Sequence, residues 1–350
     1  MTMNKNELDN ETLEMLSNPT IKNILPVVYL IVALIGFPGN SFSLFLLCRS
    51  KPKTPSIVFM INLTITDLVL SIFLPFQSMY HWNGNNWTFG SSLCNVVTVL
   101  FYANMYCSIL TMTCISLERY FGVVRTMHCA KWKTNAHAIL VCLGMWTALL
   151  IILLPLEIND LTYEVPALNI TTCFDVLKTD MLPSKSAWAA FLFTLFGILF
   201  LIPFCIIVYC YIRIIASLIK SSENHSSAMK QRAICLAVIV VSVFITCFAP
   251  NNFILLGHMI NRIFYERGIY SAYKITLTLS CLNSCLDPFI YYFASQEFRK
   301  KFRVYFGLGS ITSQGSYTEC RRESFLSMRV GLHQHNLETQ MSLKSPNGSM

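Results

Sequence analysis

Between Ser91 and Arg125 the chain reads SSLCNVVTVLFYANMYCSILTMTCISLERYFGVVR. Asn95–Leu117 carries no charged side chain, and Cys94 and Arg119 bracket it. At ~1.5 Å rise per residue, a helix sets these two residues about 37 Å apart. That exceeds the ~30 Å hydrocarbon core of a bilayer, so one helix crosses it with Cys94 at one face and Glu118-Arg119-Tyr120 at the other. A thiol suits the oxidising side. A helix with this arrangement is expected to join an event in one compartment to an event in the other.

The rest of the chain has the same character. It has 350 residues, 54% of them hydrophobic and 13% charged, with a mean hydropathy of +0.52. Soluble domains carry about 25% charged residues, so this is an integral membrane protein. Seven apolar spans are read: Leu25–Cys48, Pro55–Tyr80, Ser91–Val124, Asn135–Leu156, Ala187–Leu218, Met229–Ile260 and Ile269–Ala294. The predicted fold is an all-α membrane protein: a seven-transmembrane helix bundle over 25–294, after an N-terminal tail (1–24) and before a C-terminal segment (295–350). Arg49, Lys51 and Lys53 follow span one; Arg125, Lys131 and Lys133 follow span three; Arg299, Lys300, Lys301 and Arg303 follow span seven. Glu157–Lys185, on the opposite side, has five acids against two lysines. The positive-inside rule therefore predicts a multi-pass plasma-membrane protein, N-terminus outside and C-terminus in the cytosol. The net charge of +8 reflects these flanking residues, and no nucleic-acid partner is expected.

Residues 1–23 are polar, with no basic stretch followed by an apolar one, so no cleaved signal peptide is expected. Asn10-Glu11-Thr12 and Asn169-Ile170-Thr171 are glycosylation acceptors if they lie outside. Beyond span seven, Phe298, Phe302, Tyr305 and Phe306 share one face of a short amphipathic helix whose basic residues lie elsewhere. Such a helix suits an anionic lipid surface. The tail from Gly307 is rich in Ser and Thr and reads as disordered, with Arg321-Arg322-Glu323-Ser324 as a kinase target. Cys320 lies too far along to anchor the helix by a lipid.

Ionisable groups within spans are costly and mark function. Asp67 and Asp287 stand mid-membrane, with Asn40, Asn104, Ser108 and Asn283 at positions from which they could converge. This oxygen-rich set suits a sodium ion at Asp67, or else a water-filled polar network. Pro38, Pro75, Pro203, Pro250 and Pro288 predict kinks. No nucleophile–base pair, metal-ligand spacing or phosphate-cradling glycine loop appears, so neither an enzyme nor a metal site is expected, and no resident cofactor beyond that ion.

Gly39-Asn40, Leu63-x-x-x-Asp67, Glu118-Arg119-Tyr120, Trp146, Pro203 with Tyr211, Phe244 with Cys247-Phe248-Ala249-Pro250, and Asp287-Pro288-x-x-Tyr291 occur in order, one set per span. Together they resemble the landmarks of rhodopsin-like G-protein-coupled receptors over Gly36–Phe306. Asp287, where many members have Asn, is similar to the purinoceptor-like branch. The resemblance implies a Cys94–Cys173 disulfide, and both thiols lie at the oxidising face. It implies that Glu118, Arg119, Tyr120, Tyr211 and Tyr291 act in coupling to a heterotrimeric G protein, Glu118 holding Arg119 when the bundle is closed. It makes Phe244, Phe248, Pro250 and Pro203 the activation pivot, with Phe248 where many members carry Trp. Arrestin and receptor kinases are implied partners of the Ser/Thr-rich tail. A second disulfide found in many purinoceptors cannot form, because residues 1–24 and 257–275 hold no Cys; a looser N-terminus is expected.

The expected ligand pocket comprises Tyr80, Phe101, Tyr102, Tyr106, Lys178, Asn251, Asn252, Leu255, His258, Arg262, Tyr273 and Lys274. Nucleotide-binding relatives place His and a cation where this chain has Asn252 and Leu255. The expectation is therefore an extracellular anionic amphiphile rather than a nucleotide. Resemblance to one member of the branch implies a prenylated glutathione conjugate and a G protein of the Gα twelve/thirteen class. An ion-coupled transporter using Asp67 and Asp287 remains as the alternative. A retinal-binding light sensor is a third reading, opposed because Cys281 stands where the lysine would be needed.

Overall fold

Six of the seven spans are single helical stretches long and apolar enough to cross a bilayer, and the seventh is broken. The computed structural model describes residues 10–51, 53–124, 134–175, 182–220, 227–265 and 270–306. Span one is α2 (Pro19–Cys48), preceded by a short α1 (Asn10–Ser17). Spans two to four are α3 (Pro55–Trp82), α4 (Ser91–Val123) and α5 (Asn135–Ile158). Span five joins α6 (Lys185–Phe193) to α7 (Ile202–Lys220), and span six joins α8 (Ser227–Val243) to α9 (Ala249–Tyr265). Span seven is α10 (Tyr270–Cys281) and α11 (Asn283–Ala294), followed by the amphipathic α12 (Gln296–Tyr305). The chain forms two compact units, Met1–Phe298 and Arg299–Met350. In the second, the described rings of Phe302 and Phe306 lie 4.6 Å apart.

α4 is the central post. It packs on α3, α5 and α7, and buried residues lie all round its middle, from Val97 to Thr113. A helix without a polar face has to be enclosed, and this one is enclosed by other spans. Asn62 on α3 fastens its neighbours: Trp146 Nε1 donates to Asn62 Oδ1 at 3.0 Å, and Asn62 Nδ2 donates to Thr111 Oγ1 at 3.2 Å. Spans two, three and four are thus pinned at one depth.

The prolines act in two ways. Pro203 and Pro250 each follow a π-helical segment, Thr194–Leu201 and Phe244–Phe248. There Ile202 N–H donates to Gly197 O and Ala249 N–H to Phe244 O, five residues back instead of four. The expected kinks are therefore wide turns, which alter the rotation of everything beyond them. Pro288 cannot donate to the Ser284 carbonyl. Asn40 on α2 supplies the missing donor, its Nδ2 lying 2.7 Å from Ser284 O. The approach is close: a Cβ on Gly36 would come 3.1 Å from Ser71 Oγ, and one on Gly39 3.6 Å from Pro288 Cγ. Span seven breaks at Leu282, where Leu282 N donates to Leu279 O and Cys285 N to Leu282 O in tight three-residue turns.

Two features depart from expectation. The helical bundle, expected to be all-α, also carries an antiparallel hairpin after α5, β1 (Thr162–Val165) with β2 (Ile170–Cys173), in register Thr162↔Cys173. Asn169 takes φ 50° at its tip, a left-handed conformation that Asn tolerates. Trp87 N–H donates to Thr171 O at 2.7 Å, tying the hairpin to the preceding loop. The N-terminal segment is also not loose where described. Met15 and Leu16 are buried, α1 packs against α2 and α10, and Asn85 Nδ2 donates to Leu16 O at 3.0 Å. Apolar burial and one buried hydrogen bond hold it without a second disulfide.

Candidate functional site

Three groups of side chains stack along α4. At the hairpin end, Cys94 is disulfide-bonded to Cys173, fixing β2 over the bundle. The residues just after this bond turn inward. Phe174 packs edge-on against Tyr102, with ring centroids 5.6 Å apart. Asp175 is 1% exposed and forms an ion pair with Lys274 of α10, itself 6% exposed. Tyr80 Oη donates to the same carboxylate at 2.5 Å. Beside this pair, His81 is buried and stacks on Tyr29 at 5.8 Å.

A small apolar cavity of about 20 Å³ adjoins Tyr102. Of the expected pocket residues, Tyr102, Leu255, His258 and Tyr273 line it; Leu156, Phe174, Trp188, Phe191, Leu192 and Leu195 also do. The Tyr102 and Tyr273 hydroxyls bond to each other across the bundle. His258 stacks on Tyr273 at 5.8 Å.

The remaining predicted pocket residues are distributed differently. Tyr80 and Lys274 belong to the ion-pair cluster, and Phe101 packs edge-on against Tyr29 at 6.3 Å. Tyr106 Oη donates to Asn252 Oδ1 at 3.3 Å, and Asn252 Nδ2 donates to Phe248 O at 2.9 Å. Asn251 Nδ2 points at Met105 Sδ, 3.3 Å away. These three form a buried floor instead of a wall. Lys178 and the Arg262 side chain lie outside the described residues. Sequence reasoning missed Asp175 and His81, although they stand two residues past Cys173 and one past Tyr80, both already assigned a place at this end. The α6 wall was missed because an apolar helix face reads the same whether it meets lipid, protein or ligand.

The middle group is the expected polar network. Asn104 Nδ2 donates to Asp67 Oδ1 at 3.0 Å and Ser284 Oγ donates to the same atom at 2.9 Å. Asn283 Nδ2 donates to Asp287 Oδ2 at 3.0 Å. The Asp67 and Asp287 carboxyls lie within hydrogen-bonding reach of each other. Asn40 does not join them; the carbonyl freed by Pro288 takes it instead. Buried Asp67 Oδ2, Ser108 Oγ, Asn283 Oδ1 and Asp287 Oδ1 have no hydrogen-bond partner among the described residues. Two facing carboxyls with spare hard oxygens in an apolar bundle are satisfied by a shared proton or by a bound cation, and the donor set fits a sodium ion.

The pivot residues lie between these groups and span five. Phe244 and Phe248 are both fully buried and meet edge-on at 5.6 Å. Phe244 stacks on Phe200 and Phe204 at 5.6 and 5.4 Å. Pro203 is buried just below the first wide turn.

At the far end, Glu118 accepts a hydrogen bond from Ser56 Oγ of α3. The expected hold of Glu118 on Arg119 is thus replaced, as far as Glu118's hydrogen bonding is described, by an anchor on span two. A Ser at the start of a helix reads from sequence as a cap, which hid this role. Arg119 and Ser116 lie beside Tyr211, and Tyr291 packs edge-on against Phe298 at 6.2 Å. Tyr120 is nearly buried against Phe121 and Tyr209. Asn169 is exposed on the hairpin tip; Asn10 opens α1, its side chain outside the described residues, as are Cys320 and the Ser/Thr-rich tail.

Comparison with known proteins agrees with this layout. The profile of the 7 transmembrane receptor (rhodopsin family) matches residues 39–291. The chain is 58% identical to purinoceptor 8 of Gallus gallus over 94% of its length and 92% of the relative's. It is 54% identical to the S-geranylgeranyl-glutathione receptor of Homo sapiens, covering 92% and 89%. Proteinase-activated receptor 2 of Mus musculus is 40% identical, covering 83% and 73%.

Proposed function

The chain belongs to the rhodopsin family of seven-transmembrane receptors, and from that premise we propose that it is a cell-surface receptor for an extracellular anionic amphiphile, acting through a heterotrimeric G protein. The orientation that goes with this reading has the disulfide end and N-terminus outside and the Arg119 end and C-terminus in the cytosol. The flanking charges support it. The chain performs no chemistry itself; ligand binding biases a two-state bundle whose open form promotes nucleotide exchange on its partner.

One observation carries the amphiphile reading: an apolar cavity is lined by Phe174 and Tyr273, the chain neighbours of the buried ion pair Asp175–Lys274. A nucleotide polyphosphate needs several converging cations, and Leu255 stands where a nucleotide receptor's cation would be. A tailed, anionic small molecule suits this pairing better. The name of the human relative, which is 54% identical, points to S-geranylgeranyl-glutathione, a prenylated glutathione conjugate. Gα twelve/thirteen is the proposed coupling class on the same likeness. The 20 Å³ cavity has room for about one water, so a ligand of that size enters by displacing side chains.

Three further roles belong to this reading. Asp67 and Ser108 hold sodium in the closed state. α12 lies on anionic membrane lipid. The tail takes receptor kinases and arrestin. The decisive experiment exposes cells expressing the receptor to S-geranylgeranyl-glutathione and to nucleoside di- and triphosphates, with activation sensors for each Gα class. A response to the conjugate through Gα twelve/thirteen supports the proposal. A nucleotide response contradicts the ligand class, and solute movement by the receptor alone in proteoliposomes contradicts the receptor reading in favour of a transporter.

A further inference from the structure

Two pairs of chain neighbours meet at the Tyr102–Tyr273 bridge. Phe174 and Tyr273 line the apolar cavity, while Asp175 and Lys274 pair with each other beside Tyr80. The same two stretches of chain therefore carry an apolar cavity lining and, one residue further on, a charged cluster. Within the charged cluster, Lys274 and Asp175 satisfy each other, so neither is free for a ligand while they are joined. Parting them leaves two buried, unpaired charges, which is prohibitive unless each finds an opposite charge at once. A simple anion would neutralise Lys274 and strand Asp175. A group carrying both signs would satisfy both.

His81 adds a third constraint. Asn85 Nδ2 donates to Leu16 O, so Asn85 Oδ1 is the atom facing His81 Nδ1, 2.7 Å away. A carbonyl oxygen only accepts, which puts the imidazole proton on Nδ1. Nε2 is then a bare acceptor, buried and without a hydrogen-bond partner among the described residues. It lies within electrostatic reach of both Lys274 and Asp175. The cluster thus offers one cation, one anion and one unpaired acceptor for an N–H.

We propose that the Lys274–Asp175 pair is a clasp for a zwitterionic amino-acid headgroup: Lys274 takes the ligand's carboxylate, Asp175 takes its ammonium, and His81 Nε2 accepts a neighbouring N–H. The ligand's apolar tail parts the tyrosine bridge and lies in the cavity walled by Trp188 and Phe191. The inference rests on the amphiphile reading above and sharpens it: the ligand's charged end carries both signs, so net charge in the cluster is conserved when the clasp opens. Nucleotides and fatty acids, which lack the ammonium, are disfavoured for the same reason.

The test uses S-geranylgeranyl-glutathione, its N-acetyl derivative, which lacks the ammonium, and its diethyl ester, which lacks the carboxylates. G-protein activation is read in cells with receptor display measured at the surface. On the unaltered receptor each blocked probe is expected to lose at least about tenfold in potency. With Asp175→Asn the N-acetyl probe should match the parent, and with Lys274→Gln the ester should match it. Each single change leaves a charge buried alone; if either fails to reach the surface, the Asp175→Asn/Lys274→Gln double variant, which is neutral, should be displayed and show neither discrimination. The clasp is overturned if the N-acetyl probe equals the parent on the unaltered receptor, or if the double variant discriminates as before. A receptor silent to the conjugate sinks the ligand reading of the preceding subsection. The clasp is then decided on purified receptor: thermal stabilisation by S-farnesyl-cysteine but not N-acetyl-S-farnesyl-cysteine, lost in the double variant, upholds it, and no difference refutes it.

Discussion

Replacing Asn40 with Ala tests how the bundle closes around Pro288. Asn40 Nδ2 is the donor for the Ser284 carbonyl, at 2.7 Å, because the proline four residues on has no N–H. Both groups are fully buried, so no bulk water replaces the lost donor. An orphaned buried carbonyl costs about 1–3 kcal/mol. The small void left by the side chain adds about 1 kcal/mol. Against this, Asn40 Oδ1 has no partner among the described residues, and its removal recovers about 1 kcal/mol. The net expectation is about 2 kcal/mol of destabilisation, or roughly 4–8 °C in apparent Tm on the scale of 150–250-residue chains. Pro288→Ala restores a main-chain donor to Ser284 O. In its presence Asn40→Ala should cost at least about 1 kcal/mol less, beyond the ~0.5 kcal/mol scatter of independent sites. The assay is thermal unfolding of purified receptor in lipid nanodiscs, followed by a dye that reacts with thiols as they are exposed. Additive effects of the two changes, or an unaltered melting curve for Asn40→Ala, would refute the reasoning.

Four other outcomes are expected. Arg119→Ala should retain ligand binding and lose at least about tenfold in G-protein activation; wild-type signalling would remove Arg119 from its coupling role. Cys173→Ser opens a bridge across 79 residues of chain, worth up to ~4.5 kcal/mol if that loop were free and less with two spans still inserted, so surface display should fall several-fold. Sodium at about 100 times its Kd should add ~2.7 kcal/mol to the stability of the unaltered receptor and nothing to Asp67→Asn, measured as sodium-dependent Tm. Asn169→Gln should remove one glycosidase-sensitive step in gel mobility, since the acceptor sits exposed on the hairpin tip.

The spans were legible because they depend on long runs of one chemical kind. A charge-free Asn95–Leu117 has few alternatives to a membrane span, and Asp67, Arg119 and Asp287 are so costly in such segments that their presence alone marks function. What escaped detection depends on short-range geometry. Pro203 and Pro250 announce a break, yet whether the helix kinks or widens into a π turn depends on which carbonyl the residue before the proline reaches. Lys274 was legible as a cation near the mouth, but the ion pair that neutralises it comes from Asp175, 99 positions earlier in the chain. Asn40 was placed with the carboxylates because Asn suits such a network; a carbonyl left bare by Pro288 had the stronger claim.

The same bonds divide the bundle into parts that resist motion differently. Asn40 joins span one to span seven, Ser78 joins span two to Pro26 O of span one at 2.9 Å, and Asn62 joins spans two, three and four. Each is buried or partly buried and directional, so sliding one helix past another breaks it and strands a polar group. Spans five and six meet instead through rings: Phe196 and Phe200 lie 5.4 and 5.6 Å from Phe253, and Phe200 and Phe204 flank Phe244. Ring contacts contribute only ~0.5–1.5 kcal/mol each beyond their burial and can re-form at a new offset. The wide turns ahead of Pro203 and Pro250 fall within this sliding half. A buried link joins the two parts at the pivot itself: Tyr106 holds Asn252, whose amide holds the Phe248 carbonyl. Displacement of Tyr102, one turn along α4 from Tyr106, therefore bears on the segment of span six whose hydrogen bonding is already irregular.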